Sequence, residues 1–318
     1  MTREKILNSL IPILTDPKFV VIDTAQLKDV ATRLLEAPIP SWDNDLQLLG
    51  TAEETAQYYF FLDSINFCFW GKKDNPRWEY KINGEWVGGY YAYSRAIKDA
   101  FLRNSKFFDA SYLSEVSEED FKSIFASGRN ELQLIDERLE IIRKNFRILN
   151  ENFDGKAMRL LQEAGMDADA IVSALLEKFP TFDDSIIWND NRAFFLKRAQ
   201  IFVSDISFTG LPRLKIKNLD HLTVFADYKL HQILESFGVL KYNPELDSDI
   251  VNQVLIPKSS QKEIELRAAS IAAIEQMRSE IEKLGREITT NELDWILWVK
   301  AKESSFEKPH HRTLTTFY

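Results

Sequence analysis

Apolar residues recur at helical spacing along nearly the whole chain, and this periodicity limits the possible folds more than any other feature. In residues 131–150 the apolar side chains alternate at spacings of three and four, which is typical of a helix that buries one narrow face. The chain has 11 glycines and 10 prolines among 318 residues, and so few helix breakers favour long helices over strands and turns. The sequence therefore predicts a mainly α protein.

Capping signals indicate where several of these helices begin. Thr51 with Glu54 has the spacing of a capping box, in which side chain and backbone satisfy each other's free polar groups. The same spacing recurs twice near the C-terminal end, and Asp23 or Thr24 can cap a further helix. We predict helices over 24–36, from Thr51 towards Trp70, from Ser260 with Glu263 to about Leu284, and from Thr289 with Glu292 to about Lys302.

One segment departs from the helical pattern. Residues 78–87 alternate with a period of two around Asn83-Gly84, which is the strongest short-range signal of a β-hairpin. Residues 180–192 are rich in Asp and Asn; a domain boundary is one interpretation, and a long surface loop is the favoured one. Because no Pro/Gly/Ser-rich linker divides the chain, we expect residues 1–318 to form a single helical domain with a small β-hairpin.

Charge and cysteine content argue against several classes of function. The chain has 40 Lys and Arg against 49 Asp and Glu, a net charge of −9, so general binding to duplex nucleic acid is not expected. Cys68 is the only cysteine, which excludes an intrachain disulfide and a cysteine-based metal cage. The sequence contains neither of the common glycine-rich phosphate loops and no paired histidines at metalloprotease spacing.

The sequence also lacks recognisable membrane signals. The charged N-terminal segment is not followed by a small-residue cleavage site, so we predict no signal peptide. No apolar run approaches the 18 or so residues that a membrane span needs. We therefore expect a cytoplasmic protein without a membrane partner.

Asp227 is the strongest candidate for a catalytic residue. It lies between Phe225 and Tyr228, directly before a short predicted helix that Gly238 closes. Local sequence alone favours an ordinary N-cap, since aspartate is among the best residues at that position. The alternative is a carboxylate kept ionised by the helix end while the aromatic rings exclude water. Such an anion suits a cationic transition state, as in cleavage of a glycosidic bond.

Three further segments combine polar and aromatic residues. Asp294 shares a helix face with Trp298, beside Trp295, and could recognise a heterocyclic base, although a core helix with a solvated Asp is the commoner outcome. Residues 194–203 are predicted as an apolar helix. Its cations Lys197 and Arg198 need an anion, either a phosphate or a carboxylate such as Asp205. Residues 60–70 are also predicted as a helix, either in the core or in a pocket wall, with Asp63 and Asn66 as its polar groups.

An ordered set of motifs resembles the queuosine salvage family, whose members are queuosine 5′-phosphate N-glycosidases. The resemblance runs from about residue 20 to the C-terminal end. It rests on Asn66-Phe-Cys-Phe-Trp70, Lys197-Arg-Ala-Gln200, Phe225-Ala-Asp-Tyr228, Gly238-Val-Leu-Lys-Tyr242, Leu293-Asp-Trp-Ile-Leu-Trp298 and the terminal His311-Arg312 with Phe317-Tyr318.

The resemblance implies a largely helical fold similar to the helix-hairpin-helix DNA glycosylases. It also implies hydrolysis of queuosine 5′-monophosphate to queuine and ribose 5-phosphate without a metal or organic cofactor. It makes Asp227 the catalytic carboxylate, Phe225 a substrate contact, and Asp294 with Trp295 the contacts to the base. Two positions depart from some relatives: Val299 replaces an acid, and no histidine precedes residue 221.

The hypothesis that follows assigns a role to each candidate residue. Asp227 stabilises positive charge at the ribose C1′ and orients or replaces the attacking water. The aromatic residues Phe225 and Trp295 stack on the base, while Tyr228 and Asn66 are further substrate contacts. Asp294 accepts from the guanine-like N–H edge of the base or binds its cyclopentenyl amine or diol. Lys197 and Arg198 are the candidates for binding the 5′-phosphate. We expect a monomer whose partner is this small nucleotide. Three alternatives stay open: a glycosidase acting on another nucleotide, one acting on DNA, or a non-enzymatic helical interaction protein.

Overall fold

The computed structural model describes residues 1–41, 46–71 and 76–318. Within those ranges the chain is built mainly from α-helices, as the apolar periodicity predicts. Fourteen helices are present: α1 Arg3–Leu14, α2 Thr24–Leu34, α3 Ala52–Ser64, α4 Tyr90–Arg103, α5 Ala110–Ser114, α6 Glu118–Ser123, α7 Ile135–Phe153, α8 Ala157–Glu163, α9 Ala168–Lys178, α10 Lys197–Phe208, α11 Tyr228–Ser236, α12 Pro244–Val251, α13 Gln261–Lys283 and α14 Thr290–Glu303.

The predicted caps begin the helices for which they were assigned. The capping boxes at Thr51 and Thr289 are complete, with side chain and backbone bonded in both directions. Asp23 caps α2 and Ser260 caps α13 through their side chains. The four predicted starts are confirmed because a cap is a local interaction that short-range sequence encodes.

Three antiparallel strand pairs interrupt the helices. The hairpin around Asn83-Gly84 is confirmed, with Glu79 opposite Gly88. The prediction of a surface loop over 180–192 is wrong, because residues 185–194 form a second hairpin that turns at Asn189 and Asp190, both at positive φ. The strands are β1 Val20–Ile22, β2 Glu79–Ile82, β3 Glu85–Gly88, β4 Ser185–Trp188, β5 Asn191–Phe194 and β6 Leu240–Tyr242, where β1 pairs with β6.

Four predicted helices are shorter than expected at one end. The helix predicted over 24–36 ends at Leu34, and the one predicted over 131–150 begins at Ile135. The helix predicted over 60–70 stops at Ser64, and residues 66–70 continue as irregular chain. The helix predicted over 194–203 begins only at Lys197, because Phe194 belongs to β5 and Leu196 adopts a left-handed conformation. In the last two places continuous apolar sequence hides the element boundary, since buried strand, loop and helix all place apolar residues inside.

Two hydrophobic cores organise the helices. The first core surrounds α3, in which every side chain from Thr55 to Ser64 is buried, and takes in residues of α4 to α10. The second core joins α1 and α2 to α11 through α14, together with β1 and β6. A helix buried on all faces, as α3 is, belongs at the centre of such a core. The cavity described next draws residues from both cores.

None of the helices in the described ranges is both long and apolar enough to span a bilayer.

Candidate active site

A cavity of about 1310 Å³ opens where the two cores meet. Its volume exceeds the range of about 300–1,000 Å³ that is usual for small-molecule pockets. Seven of the eight candidate residues named from the sequence line it: Asn66, Lys197, Phe225, Asp227, Tyr228, Asp294 and Trp295. The structure therefore brings together residues that are more than 200 positions apart in the chain.

Asp227 is both an N-cap and a cavity residue. Its Oδ1 atom accepts hydrogen bonds from the backbone N–H groups of Lys229, at 2.8 Å, and Leu230, at 3.0 Å. Burial raises the pKa of Asp227, while Lys197 and the two N–H donors counteract this. The helix end thus fixes one carboxylate oxygen, and the side chain still lines the cavity.

Asp294 ties helix α14 to the segment that precedes Asp227. Its Oδ1 accepts a hydrogen bond from the backbone N–H of Phe225 at 3.0 Å. Asp294 is buried, and burial together with the charge of Asp227 raises its pKa well above the ordinary value. The ring of Trp295 lies 4.4 Å from that of Phe208, centroid to centroid. An acid and aromatic rings thus share one wall of the cavity, as a site for a heterocycle requires.

Lys197 lies among acids rather than at a site suited to a phosphate. Its ammonium donates to the backbone oxygen of Asn66 at 2.8 Å and to the Asn66 side-chain oxygen at 3.2 Å. Burial lowers the pKa of Lys197 to about 8, although Asp227, Asp63 and Asp205 all act to raise it. Carboxylates in these positions repel a phosphate dianion, so Lys197 is better placed to balance the charge of Asp227.

Arg198 does not line the cavity. Its guanidinium is buried and donates to the backbone oxygens of Ser64 and Thr181. The first contact joins α10 to the end of α3, two residues before Asn66, and the second joins it to Thr181. The assignment of Arg198 as a phosphate ligand is therefore not supported by its position, and its charge is solvated by peptide carbonyls instead.

A buried ion pair fixes the beginning of α10. The Asp184 carboxylate accepts from both terminal nitrogens of Arg267, at 2.7 and 2.5 Å, and from the backbone N–H of Lys197 at 3.2 Å. Asp184 and Arg267 are each 1% exposed. Such a bidentate pair has strict geometry, so it holds the helix that carries Lys197 against α13.

Several basic residues that the sequence did not single out as ligands also line the cavity. They are Arg77, Lys229, Lys302 and Arg312, together with His310, whose pKa burial lowers to about 4. Lys229 directly follows the Phe-Ala-Asp-Tyr motif and His310 precedes the terminal His-Arg pair, so both were adjacent to motifs already singled out. Arg77 and Lys302 carry no such local signal, because only the tertiary fold brings them to the cavity.

Asp205 and Tyr90 are two further cavity residues whose contribution was missed. The Tyr90 hydroxyl donates to Asp205 Oδ2 at 3.1 Å. Asp205 was considered only as an internal partner for the cations of α10.

In the described part of the chain, Lys197 has no carboxylate within the 4 Å of an ion pair. Among the residues described, no three His, Cys, Asp or Glu side chains are grouped as a metal site would need.

Comparisons with known proteins agree with the motifs. The family model described as queuosine salvage protein matches residues 46–318. A relative from Sphaerobacter thermophilus is 36% identical over 282 residues, covering 88% of this chain and 86% of its own. One from Dictyostelium discoideum is 37% identical over 270 residues (84% and 79%), and one from Mus musculus 30% identical over 318 residues (94% and 94%). All three are named queuosine 5′-phosphate N-glycosylase/hydrolase. A match of this extent, together with the ordered motifs around the cavity, places the chain in the queuosine salvage protein family.

Proposed function

We propose that this protein hydrolyses the N-glycosidic bond of queuosine 5′-monophosphate and releases queuine and ribose 5-phosphate. The observation that carries the proposal is the position of Asp227, whose carboxylate is fixed at the start of α11 and lines a cavity with aromatic residues. The names of the relatives support the same substrate and reaction.

The chemistry needs an anion beside the sugar. When the bond between C1′ and the base nitrogen breaks, its electron pair leaves with the base, and positive charge develops at C1′ and the ring oxygen. The Asp227 carboxylate stabilises that charge most strongly because its helix cap keeps it in place before the reaction. Water then forms the new bond to C1′ and gives up one proton, while the departing base takes up one, so the step requires no oxidant or reductant.

The base site lies beside α14. Trp295 and Phe225 offer ring faces for stacking, and each stacked base gains about 1–3 kcal/mol from such contacts. Asp294 presents a buried acceptor next to them, which suits the N–H edge of a guanine-like ring. These two interactions also hold the base while its bond to ribose weakens.

The 5′-phosphate site is best assigned to the cations around Lys229. Burial lowers the pKa of Lys302 to about 8, and the neighbouring charges of Arg77 and Lys229 lower it as well. Burial also lowers the pKa of Lys229. In the described ranges none of these three side chains forms an ion pair, although the charge of Asp227 acts on Lys229. A phosphate dianion would supply further counter-charge to this group.

Replacing Lys229 or Lys302 with methionine should therefore reduce the preference for a phosphorylated substrate. We expect kcat/KM for the 5′-monophosphate to fall by about 10- to 100-fold through KM, since a charged hydrogen bond is lost. Cleavage of the unphosphorylated nucleoside should change by less than about threefold. Steady-state assays with both substrates measure this. Lys308→Met is the matched control, because Lys308 pairs with Glu235 and Asp247 and lies outside the cavity lining. An equal loss on both substrates would contradict the assignment.

The reaction itself is tested by incubating the protein with queuosine 5′-monophosphate and separating the products by chromatography. Free queuine and ribose 5-phosphate in equal amounts are the expected result. A panel of ordinary nucleotides and a DNA duplex tests the other glycosidase activities. Release of bases from the duplex, with binding that weakens steeply as salt rises, would favour a DNA glycosylase. The absence of any released base would favour a non-enzymatic role.

A further inference from the structure

The charges around the cavity are unevenly distributed. Asp205, Asp227 and Asp294 line it, and Lys197 is a cation with which all three interact. The cations at Arg77, Lys229 and Lys302 form a second group whose members interact with one another, and Lys229 also interacts with Asp227. A ligand that complements this distribution carries an anionic group at one end and a cationic group at the other. The phosphate accounts only for the anionic end.

Asp205 is placed to meet the cationic end. It lies on the face of α10 that lines the cavity, together with Lys197, Ile201, Ser204 and Phe208. Phe208 is one turn further along and touches Trp295, with the two ring centroids 4.4 Å apart. The Asp205 carboxylate therefore lies near the wall assigned to the base.

The surroundings of Asp205 leave it short of positive charge. Its carboxylate is 6% exposed and accepts one hydrogen bond, from Tyr90, within the described part of the chain. Asp63 is buried nearby and interacts with it unfavourably. Lys197 is shared with three other acids, Asp63, Asp227 and Asp294, and is held by Asn66. A buried carboxylate with so little compensation must take up either a proton or a cation from a ligand.

We propose that Asp205 is a specificity determinant that binds a protonated amine attached to the base of the substrate. The inference rests on the proposed function, because the base of queuosine carries a secondary amine in its side chain. The hydrogen bond from the Tyr90 hydroxyl favours the ionised carboxylate and leaves the other oxygen to accept from the amine. A cavity larger than most small-molecule sites provides the space for such a substituent.

Two nucleobases, one with the amine and one without it, distinguish a role of Asp205 in specificity from a purely structural role. Queuine carries the amine, whereas 7-deazaguanine has the same ring system without it. In Asp205→Asn we expect the Kd of queuine, measured by calorimetry, to rise by about 10- to 100-fold. The Kd of 7-deazaguanine should change by less than about threefold. Ser207→Ala is the matched control on the same helix, because its hydroxyl donates to the backbone of Ser204 and it does not line the cavity.

The pH dependence of the unmodified protein gives a second test that requires no variant. Burial raises the pKa of Asp205 to about 7, although Tyr90 and Lys197 counteract the shift. Below that pH the carboxyl is protonated and must lose its proton before it can pair with an amine. The Kd of queuine relative to 7-deazaguanine should therefore rise as pH falls from about 8 to about 5.5. The titratable groups facing Asp205, which are Lys197, Asp63, Tyr90 and Asp294, act on both bases and largely cancel in this ratio.

Failure of the role proposed for Asp205 can be told apart from failure of the proposed function. Release of queuine from the nucleotide by the unmodified protein reports on the reaction, whereas the ratio of the two Kd values reports on Asp205. Equal loss of affinity for both bases in Asp205→Asn would overturn the inference, as would unchanged affinity for queuine. If that variant does not fold, a ratio that stays constant with pH overturns it equally.

Discussion

Asp227→Asn should lower kcat for release of queuine by at least about 1,000-fold, the scale seen when one preorganised electrostatic group is removed from an active site. The variant should still fold, because asparagine is as good an N-cap as aspartate and its side-chain oxygen can accept the same N–H groups of Lys229 and Leu230. Single-turnover assays by chromatography, with the free energy of unfolding measured in urea, separate loss of chemistry from loss of structure.

Asp23→Asn is a matched control for this substitution. Asp23 caps α2 in the same way, with its Oδ1 accepting from the N–H groups of Ala25 and Gln26 at 3.0 Å each, but it does not line the cavity. We expect its kcat to remain within about threefold of the unmodified protein. If Asp227→Asn kept more than about a tenth of the original kcat, the carboxylate would be only a cap, and the proposed mechanism would be wrong.

The comparison of Asp23 with Asp227 shows what local sequence can and cannot predict. Both residues have the signature of an N-cap, and both form one. Within a few residues only the flanking aromatic rings of Phe225 and Tyr228 distinguish the cap at the cavity from the half-buried cap at Asp23. The difference arises from tertiary packing, which brings α10 and α14 against the start of α11. Local sequence left the cap and the catalytic carboxylate as alternatives for Asp227, and the motif resemblance implied the second.

The same limit explains the unpredicted parts of the fold. Caps and the Asn-Gly turn are short-range interactions, so the starts of α3 and α14 and the first hairpin could be predicted. The hairpin over 185–194 turns at Asn189-Asp190 without glycine, and its polar residues resemble those of an ordinary loop. Arg198 is also ambiguous in sequence, because a buried guanidinium can be satisfied by a ligand or by distant backbone carbonyls. Here the carbonyls of Ser64 and Thr181 accept hydrogen bonds from its two terminal nitrogens.

The uneven distribution of charge in the cavity likewise emerges only from the fold. Lys229 is adjacent to the catalytic motif, whereas Lys302 comes from the end of α14 and Arg77 from a segment before β2. Burial is the main cause of the lowered pKa of Lys302, and the nearby charges of Arg77 and Lys229 lower it further. The sequence placed the phosphate ligands on α10 because the cations there lie in an apolar segment. The fold instead surrounds Lys197 with acids and gathers other cations elsewhere on the lining.

Removing the buried cation behind α10 should have the largest effect on stability. Arg267→Met leaves the carboxylate of Asp184 buried without its bidentate partner, and also removes the guanidinium from Glu263, 3.7 Å away. We expect the free energy of unfolding in urea to fall by about 3–5 kcal/mol, as is typical when one member of a buried pair is lost. The loss also loosens α10, because Asp184 accepts the backbone N–H of Lys197.

The double variant Arg267→Met with Asp184→Asn determines whether the unpaired charge causes the loss. Asparagine carries no charge but retains an oxygen that can accept the N–H of Lys197, so at least half of the lost stability should return. Arg147→Met provides the exposed control: its partner Glu115 is 3.2 Å away and both side chains are more than half exposed, so its cost should stay below about 1 kcal/mol. If Arg267→Met cost no more than Arg147→Met, or if the double variant were no more stable than the single one, packing by the arginine stem rather than its charge would hold α10 in place.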